Sequence, residues 1–298
     1  MMAQVRPLPG TAGVPELKWE GSVPELFVPD GACRLPGKHL KAFGACWVSA
    51  GYLLVTDLGR DLIWFWQPGG LPKAFRKPAG GPTFLKLDPH GRLHVLENLC
   101  SSISRTEIDG GVVAIVDLEK LGNNADVADF AVDADENLYI AVRTETVAGF
   151  GSQKIGTIQR FRQFKKVEEV GSEIPSPIGI DWDEERSSLW AVNGPDGAVW
   201  QLRRETKEDV SYRWNARRLC DLWQDDEIDS GGIAVRKDGL IGVASMAGVF
   251  LISQEGETLG KLHLPEPPFR VCWGGPWTPH DLLVTAGCSV YLIPGRTG

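Results

Sequence analysis

Apolar segments alternate with short polar turns along almost the whole chain. The recurring unit is an apolar strand, a turn rich in Asp and Gly, and a second apolar strand. Runs of this kind, bounded by turn residues, are typical of antiparallel strand pairs. Six copies occur: ACWVSAGYLLVTD from Ala45, FLKLDPHGRLHVLEN from Phe84, DFAVDADENLYIAVR from Asp129, IGIDWDEERSSLWAVN from Ile178, GIAVRKDGLIGVAS from Gly232 and VCWGGPWTPHDLLVTA from Val271.

The spacing of the copies indicates the architecture. Equivalent leucines follow one another at 40, 45, 51, 51 and 42 residues, namely Leu53, Leu93, Leu138, Leu189, Leu240 and Leu282. Four-stranded units with a period of about 40 to 50 residues are typical of β-propellers. We therefore predict an all-β, six-bladed propeller that forms one domain over residues 1–298, with residues 1–13 poorly ordered. The segment ELFVPDGACRL, from Glu25, is expected to add an outer strand to the last blade and close the ring.

Composition narrows the possible partners. The 298 residues carry a formal charge of −8 and a pI near 5.3, which disfavours a phosphate-backbone partner, so no nucleic acid is predicted. No apolar run is long enough for a membrane span or a secretory signal, so we predict no membrane association and a cytoplasmic location. The six cysteines have no C-x-x-C spacing and are read as small buried thiols, while a disulfide between distant strands stays open.

Several phrases carry a family resemblance that extends over nearly the whole chain. FGACW is similar to an E-G-P-x-W pattern, ADFAVDADENLYIA to N-D-x-x-x-D-x-x-G-x-[IL]-[YW], SPIGIDWD to P-N-G-x-x-[WF], and FRVCWGG to N-x-x-[FW]-G-G. The chain thus resembles the senescence-marker-protein, gluconolactonase and luciferin-regenerating family of six-bladed propellers. This resemblance implies small-molecule chemistry at the mouth of the central channel.

The same resemblance implies a divalent cation held by a Glu, an Asn and an Asp, which are oxygen ligands suited to calcium or magnesium. Here Phe43 stands at the Glu position, Ile178 at the Asn position and Gly231 at the Asp position, and Ala128 replaces a substrate-binding Asn. We therefore predict no metal and no cofactor. A relocated cation site that uses Glu97, Asp129 and Asp229 remains an alternative.

The repeat geometry yields a candidate set at the channel face. Before the inner strands lie Phe43, Thr83, Asp129, Ile178, Gly231 and Arg270, and at the ends of the second strands lie Asp57, Glu97, Arg143, Asn193, Ser245 and Ala286. We predict catalytic roles for Arg270, Arg143 and Asp129. Substrate contacts are predicted for Phe43, Trp47, Asp57, Glu97, Ile178, Asn193, Ser245 and Trp273. Asp57 and Asp129 have an equal structural interpretation, in which they accept backbone N–H bonds.

Three functions fit these residues. The first is a metal-independent enzyme that directs cyclisation, hetero-Diels–Alder cycloaddition or isomerisation of a largely apolar substrate with one or two oxygens. The second is a metal-dependent lactonase or esterase with a rebuilt site, and the third is a non-catalytic binding protein. No G-x-S-x-G nucleophile signature occurs, so a Ser-His-Asp hydrolase is not predicted.

Overall fold

A computed structural model describes residues 8, 11–37, 39–121, 125–148, 151–163, 165–206, 212–223 and 231–296. The chain begins with a segment that lies outside the six repeats. It contains strands β1 (Ala12–Gly13) and β2 (Lys18–Gly21), the one-turn helix α1 (Val23–Leu26), a 3₁₀ turn (Pro29–Gly31) and strand β3 (Cys33–Arg34).

Six antiparallel sheets follow, one for each repeat, which confirms the six-bladed propeller. Blade 1 contains β4 (Ala42–Val48), β5 (Tyr52–Asp57), β6 (Leu62–Trp66) and β7 (Lys73–Arg76). Blade 2 contains β8 (Pro82–Leu87), β9 (Leu93–Glu97), β10 (Ser102–Thr106) and β11 (Val112–Asp117). Blade 3 contains β12 (Ala125–Val132), β13 (Leu138–Ala148), β14 (Gly151–Arg162) and β15 (Lys165–Val170).

The second half of the ring repeats this plan. Blade 4 contains β16 (Pro177–Asp183), β17 (Ser188–Asn193), β18 (Ala198–Thr206) and β19 (Tyr212–Asp221). Blade 5 contains β20 (Ile233–Val235), β21 (Ile241–Ser245), β22 (Gly248–Ile252) and β23 (Thr258–His263). Blade 6 contains β24 (Pro268–Trp273), β25 (Leu282–Ala286) and β26 (Ser289–Ile293). Two further 3₁₀ turns, Leu58–Arg60 and Leu118–Leu121, follow β5 and β11.

The N-terminal segment completes two blades. Strand β3 pairs with β26, so that Cys33 lies opposite Leu292, and this confirms the predicted closure of the ring. Strand β1 extends the same sheet, and β2 adds a fifth strand to blade 5 by pairing with β23. The repeats do not predict β1 and β2 because neither belongs to a repeating unit.

Aspartates fix the turns that connect the first two strands of several blades. The Asp88 carboxylate accepts the backbone N–H groups of His90 and Arg92, and Asp133 accepts those of Asp135 and Asn137 in the next blade. Such local bonds explain why Asp recurs at this point of the sequence repeat.

Apolar side chains of neighbouring blades fill the space between the sheets, with Trp190, Tyr139 and Phe130 among the largest that are fully buried. All six cysteines are described and free; Cys33 and Cys46 are buried, but Cys100 and Cys288 are exposed, so the expectation of six buried thiols is wrong. Within the described ranges, no helix is long and apolar enough to cross a membrane.

One histidine is expected to make stability depend on pH. His94 is buried, its Nε2 lies 3.2 Å from Asp88 Oδ2, and its Nδ1 has no hydrogen-bond partner among the residues that the structure describes. Burial lowers the pKa of His94, the nearby Asp88 opposes this shift, and the cations of Arg105 and Arg92 add to it. Because the unfolded value is about 6.5, the stability that neutral His94 confers is present above that pH and is lost as the pH falls below it.

We therefore expect the free energy of unfolding to decrease between about pH 7 and pH 5, and a His94→Gln variant to show a flatter profile over that range. Urea denaturation at several pH values measures this directly. His263→Gln, which alters a partly exposed histidine paired with Glu20, is the control and should leave the slope unchanged. Equal slopes for wild type and His94→Gln would contradict the assignment.

Candidate active site

The inner strands of the six blades line the central channel, and their pairing register shows which residues are equivalent. One ring of positions, here the lysine ring, pairs with the second strand one residue beyond the marker leucine, except in blade 5, where Ile241 and not Leu240 is the equivalent marker. The lysine ring comprises Cys46, Lys86, Ala131, Asp181, Ala234 and Cys272. Two residues earlier lies the arginine ring: Gly44, Phe84, Asp129, Gly179, Gly232 and Arg270. One residue before that lies the mouth ring: Phe43, Thr83, Ala128, Ile178, Gly231 and Phe269.

This register corrects one feature of the predicted set. Asp129 and Arg270 are not equivalent to Phe43, Ile178 and Gly231, as the repeat alignment assumed, but lie one residue further along their strands. The physical reason is a β-bulge, since the inner-strand register shifts at the same place in five blades. A bulge sets two adjacent residues opposite one residue of the second strand, so the alternation of the sequence does not show which of the two is equivalent from blade to blade.

Arg270 joins three blades across the channel. Its Nη2 donates to the Ala128 carbonyl of blade 3 at 2.6 Å, and its Nη1 donates to the carbonyls of Gly231 in blade 5 and Phe269 in its own blade. The side chain is only 8% exposed. Arg270 is therefore a buried cation held by backbone carbonyls and not part of a surface ion pair.

The neighbouring sequence explains why an arginine is needed here. In blades 1 and 6 the second strand carries Thr56 and Thr285, whose hydroxyl groups donate to the mouth-ring carbonyls of Thr83 and Phe43 at 2.7 Å. Blades 2 to 5 have an aliphatic residue at the equivalent position and offer no such donor. Since a buried carbonyl without a partner is costly, the guanidinium of Arg270 supplies the missing donors.

Aromatic rings pack around this guanidinium. Phe43 stacks on Phe269 with centroids 5.0 Å apart and meets Phe84 edge-on at 5.6 Å. The guanidinium carbon of Arg270 lies 4.0 Å from the centre of the Phe84 ring. This geometry favours a cation at the ring face.

Asp129 is the carboxylate nearest to Arg270, with 4.0 Å between Oδ2 and Nε. Its oxygens accept the backbone N–H groups of Phe130 at 2.9 Å and of Ile180, in the next blade, at 3.1 Å. Burial raises the pKa of Asp129, while Arg270 and Lys86 oppose the shift. The result is a fixed carboxyl group that is a better proton acceptor than an exposed aspartate. These N–H bonds also realise the structural role foreseen for Asp129.

Lys86 is a charged channel residue that the sequence analysis missed. Its ammonium lies 2.6 Å from Asp181 Oδ1, and Asp181 Oδ2 accepts the backbone N–H of Val235 at 2.9 Å. The ion pair therefore links blades 2, 4 and 5. Lys86 and Asp181 occupy the same position of the repeat, so their opposite charges were a signal available in the sequence.

A cavity of about 140 Å³ lies in the channel between these groups. Lys86, Asp129 and Arg270 supply the charged groups of the cavity lining, and the rest of the lining is largely apolar. The predicted contacts Trp47 and Trp273 both belong to this lining. The other lining residues include Cys46 and Cys272, and burial raises the pKa of the Cys272 thiol to about 12.

The remaining predicted residues lie elsewhere. Ile178 is fully buried in the apolar layer between blades 4 and 5, and Arg143 pairs with Asp126 at 2.7 Å. Four others bond to residues of their own blade, of an adjoining loop or of a neighbouring blade: Asp57 to the backbone of Leu40 and Lys41, Glu97 to Arg76 of blade 1 and to Ser104, Asn193 to Ser176 and Asp196, and Ser245 to Ala247 and Gly248. Asp57 thus has the structural role foreseen for it.

The residues at the family's cation position do not fit a divalent ion. Phe43 presents a ring, Ile178 an aliphatic chain, and the Gly231 carbonyl is already bonded to the guanidinium of Arg270. A further positive charge there would face Arg270 at short range. Among the described residues, no cluster of three or more His, Cys, Asp or Glu side chains is arranged to hold a metal. Asp229, part of the alternative cation site, lies outside the described residues.

Gly232 provides a test of how tightly Arg270 is positioned. A methyl group at Gly232 would overlap the Cδ atom of Arg270, whereas one at Gly242 would meet Trp273 and Val271 at 3.6 Å. We expect Gly232→Ala to cost about 1–3 kcal/mol in unfolding free energy, as overpacked sites do. Gly242→Ala is the matched control, and its cost in unfolding free energy from steric contact should be less than about 1 kcal/mol. Urea denaturation of both variants makes the comparison, and equal stabilities would show that Arg270 moves freely.

Comparison with known proteins places this site in context. The model of the SMP-30/gluconolactonase/LRE-like region matches residues 42–287, so the chain belongs to that family. No curated protein sequence matches the chain. The family includes gluconolactonases, which are enzymes, and a cavity in the channel that has room for a small molecule agrees with that membership.

Solved structures show the same fold at low identity. A gluconolactonase from Xanthomonas campestris is 15% identical, with 99% of this chain and 100% of that chain covered and a TM-score of 0.76. A calcium-binding regucalcin from Agrobacterium tumefaciens is 13% identical, with 99% and 98% covered and a TM-score of 0.66. A luciferin-regenerating enzyme is 21% identical, with 87% and 92% covered and a TM-score of 0.65.

Proposed function

We propose that the protein is a metal-independent enzyme that acts on a small lactone or another cyclic carbonyl compound in the central channel. The observation that carries this proposal is the guanidinium of Arg270, which is bonded to the Gly231 carbonyl where the family resemblance implies a cation ligand. A fixed positive charge can take over the electrostatic task of a metal ion, which is to stabilise negative charge on a carbonyl oxygen.

The chemistry follows from two groups that face each other. Arg270 Nε is buried, has no hydrogen-bond partner in the described part of the chain and lies 4.0 Å from Asp129 Oδ2. With a carbonyl oxygen beside Nε–H and the adjacent C–H beside Asp129, the carboxylate removes the proton and the electron pair moves onto the carbonyl oxygen. The resulting enolate is stabilised by Arg270; in a substrate with a C=C bond next to the deprotonated carbon, return of the proton to the far carbon of that bond shifts the double bond and completes an isomerisation.

Cavity size separates the reactions foreseen from the sequence. An engineered cavity of about 150 Å³ holds benzene, so the cavity of about 140 Å³ here suits a five- or six-membered ring. Cyclisation or cycloaddition of a polycyclic natural-product intermediate requires more room. The proposal therefore retains isomerisation and leaves those two reactions aside.

Lactone hydrolysis is a second candidate, favoured by family membership and by the same Asp129 carboxylate, which could accept a proton from attacking water. NMR in D₂O distinguishes the two candidates. Deuterium exchange or migration of unsaturation in γ- and δ-lactones supports isomerisation, and ring opening supports hydrolysis. Chelator should leave either activity intact; loss of activity with chelator, restored by calcium or magnesium, would overturn the metal-independent proposal. Absence of any reaction across the lactone panel would favour a non-catalytic binding protein.

A further inference from the structure

The lysine ring contains a cation whose role the proposed reaction does not explain. Lys86 lines the same cavity as Asp129 and Arg270, and its ammonium group has Asp181 as its sole hydrogen-bond acceptor among the described residues. An ammonium carries three donors. Two of them are therefore available to a molecule in the cavity.

The partner of Lys86 is held in place while the lysine can move. The Asp181 carboxylate is held by the backbone N–H of Val235. Blade 3 lies between the blades of Lys86 and Asp181, and its residue in the lysine ring is the small Ala131. Lys86 has a flexible four-carbon stem, and its side chain remains 26% exposed. The ammonium can thus turn toward a ligand without losing the carboxylate of Asp181.

Lys86 is suited to binding an anion and unsuited to acting as a nucleophile. Burial disfavours its charged form, but Asp181 and Asp129 outweigh burial and raise the pKa of Lys86. A lysine that attacks a carbonyl must first lose its proton, so a raised pKa argues against a Schiff base. A permanent ammonium instead favours a negatively charged group.

The charged groups around the cavity are two cations and two carboxylates. Lys86, Arg270 and Asp129 line it, and Asp181 pairs with Lys86. Three of the five N–H donors of Arg270 are engaged with mouth-ring carbonyls, and its Nε has no hydrogen-bond partner among the described residues. A carboxylate of the ligand would accept the spare donors of Lys86 in a largely apolar space, where a charge-assisted hydrogen bond is strong.

We infer that the substrate of this cavity carries a carboxylate, which the ammonium of Lys86 binds while its ring carbonyl lies against Arg270 Nε. The substrate class is then a small cyclic carbonyl compound with a carboxylate substituent, such as a lactone carboxylate. The placement of the ring carbonyl beside Arg270 rests on the proposed function. The carboxylate site at Lys86 does not depend on any reaction.

Binding of two unreactive probes tests the carboxylate site alone. Cyclopentanecarboxylate and cyclopentanecarboxamide have nearly the same shape and differ in charge. We expect the carboxylate to bind about tenfold or more tightly than the amide, as a charge-assisted hydrogen bond would provide. Isothermal titration calorimetry measures both, and the fluorescence of Trp47 and Trp273, which line the cavity, gives a second readout.

Three variants separate recognition from structural support. Lys86→Gln should reduce carboxylate affinity about tenfold or more and leave amide affinity unchanged, and Lys86→Arg should restore part of the carboxylate affinity. Asp181→Asn removes the competing carboxylate but retains an acceptor for Val235, so carboxylate binding should become tighter; this arm remains decisive if Lys86→Gln fails to fold. Lys120→Gln, at a lysine 81% exposed on blade 2, is the control for loss of charge.

Equal binding of the two probes, no carboxylate binding at millimolar concentration, or an unchanged affinity in both Lys86→Gln and Asp181→Asn would overturn the inference. The proposed function fails separately. Deuterium exchange of a neutral lactone without carboxylate binding would overturn the Lys86 site and support the proposed enzyme. Carboxylate binding without any reaction would support the Lys86 site and overturn the proposed enzyme.

Discussion

The Arg270→Met variant is expected to lose roughly 100-fold or more in turnover, the scale seen when one preorganised donor is deleted. It should also lose about 3 kcal/mol of unfolding free energy, because a buried carbonyl left without its donor costs about 1–3 kcal/mol. Three carbonyls in three blades depend on this guanidinium, so the stability and the chemistry of the channel share one side chain.

Two further variants show which property of Arg270 is needed. Arg270→Lys keeps the charge but cannot reach three carbonyls with its single nitrogen, so it should recover part of the turnover and little of the stability. Arg218→Met, which removes a half-exposed arginine paired with Asp196 and Asp221, is the control and should cost at most about 1 kcal/mol. Turnover and urea denaturation are measured on the same preparations. Unchanged turnover in folded Arg270→Met would remove Arg270 from the mechanism.

The Ile178→Asn variant should have the largest effect on stability, about 3–5 kcal/mol. Ile178 is fully buried beside Trp190, Val192 and Ile233, so an amide there loses apolar contacts and gains no partner. This substitution restores the residue that the family resemblance implies for cation binding. The packing predicts that it destabilises the protein without restoring a cation site.

Ile178→Val is the matched control, since it removes one methyl group and should cost about 0.5–1.5 kcal/mol. Urea denaturation measures both variants. Calorimetric titration of Phe43→Glu combined with Ile178→Asn, with calcium as the ligand, tests the site itself. Stoichiometric calcium binding by that double variant at near wild-type stability would show that the channel mouth retains a latent cation site.

The sequence predicted the fold well because the information is local and repeated. Each blade carries its own apolar strands, and five of the six carry an Asp at the turn between the first two strands, so several weak signals support one another. The closing strand β3 could also be predicted from the sequence, since the last blade would otherwise keep an open edge. Strands β1 and β2 could not be predicted in this way, because each is a short segment whose pairing depends on the complete ring.

The site was predicted only in part for two physical reasons. At each bulge two adjacent residues oppose one partner residue, so the sequence did not show that Asp129 and Arg270 lie in a different ring from Phe43 and Ile178. The link between Lys86 and Asp181 joins residues 95 positions apart, and it becomes visible only when the same repeat position is compared between blades. Arg270 was found because it stands at a recognisable repeat position, but its three carbonyl partners became evident only from the assembled ring.

The closure of the ring has a consequence for the order in which the protein is made. Strands β2 and β3 are synthesised before all six blades, yet their partners in β23 and β26 come at least 239 residues later. Until those partners are synthesised, the early strands have unpaired edges and blade 1 has no neighbour on one side. The finished ring locks early and late segments together, so unfolding from either terminus must break blade 5 or blade 6 first. We expect these two blades to control the rate of unfolding and to set the lifetime of the native state.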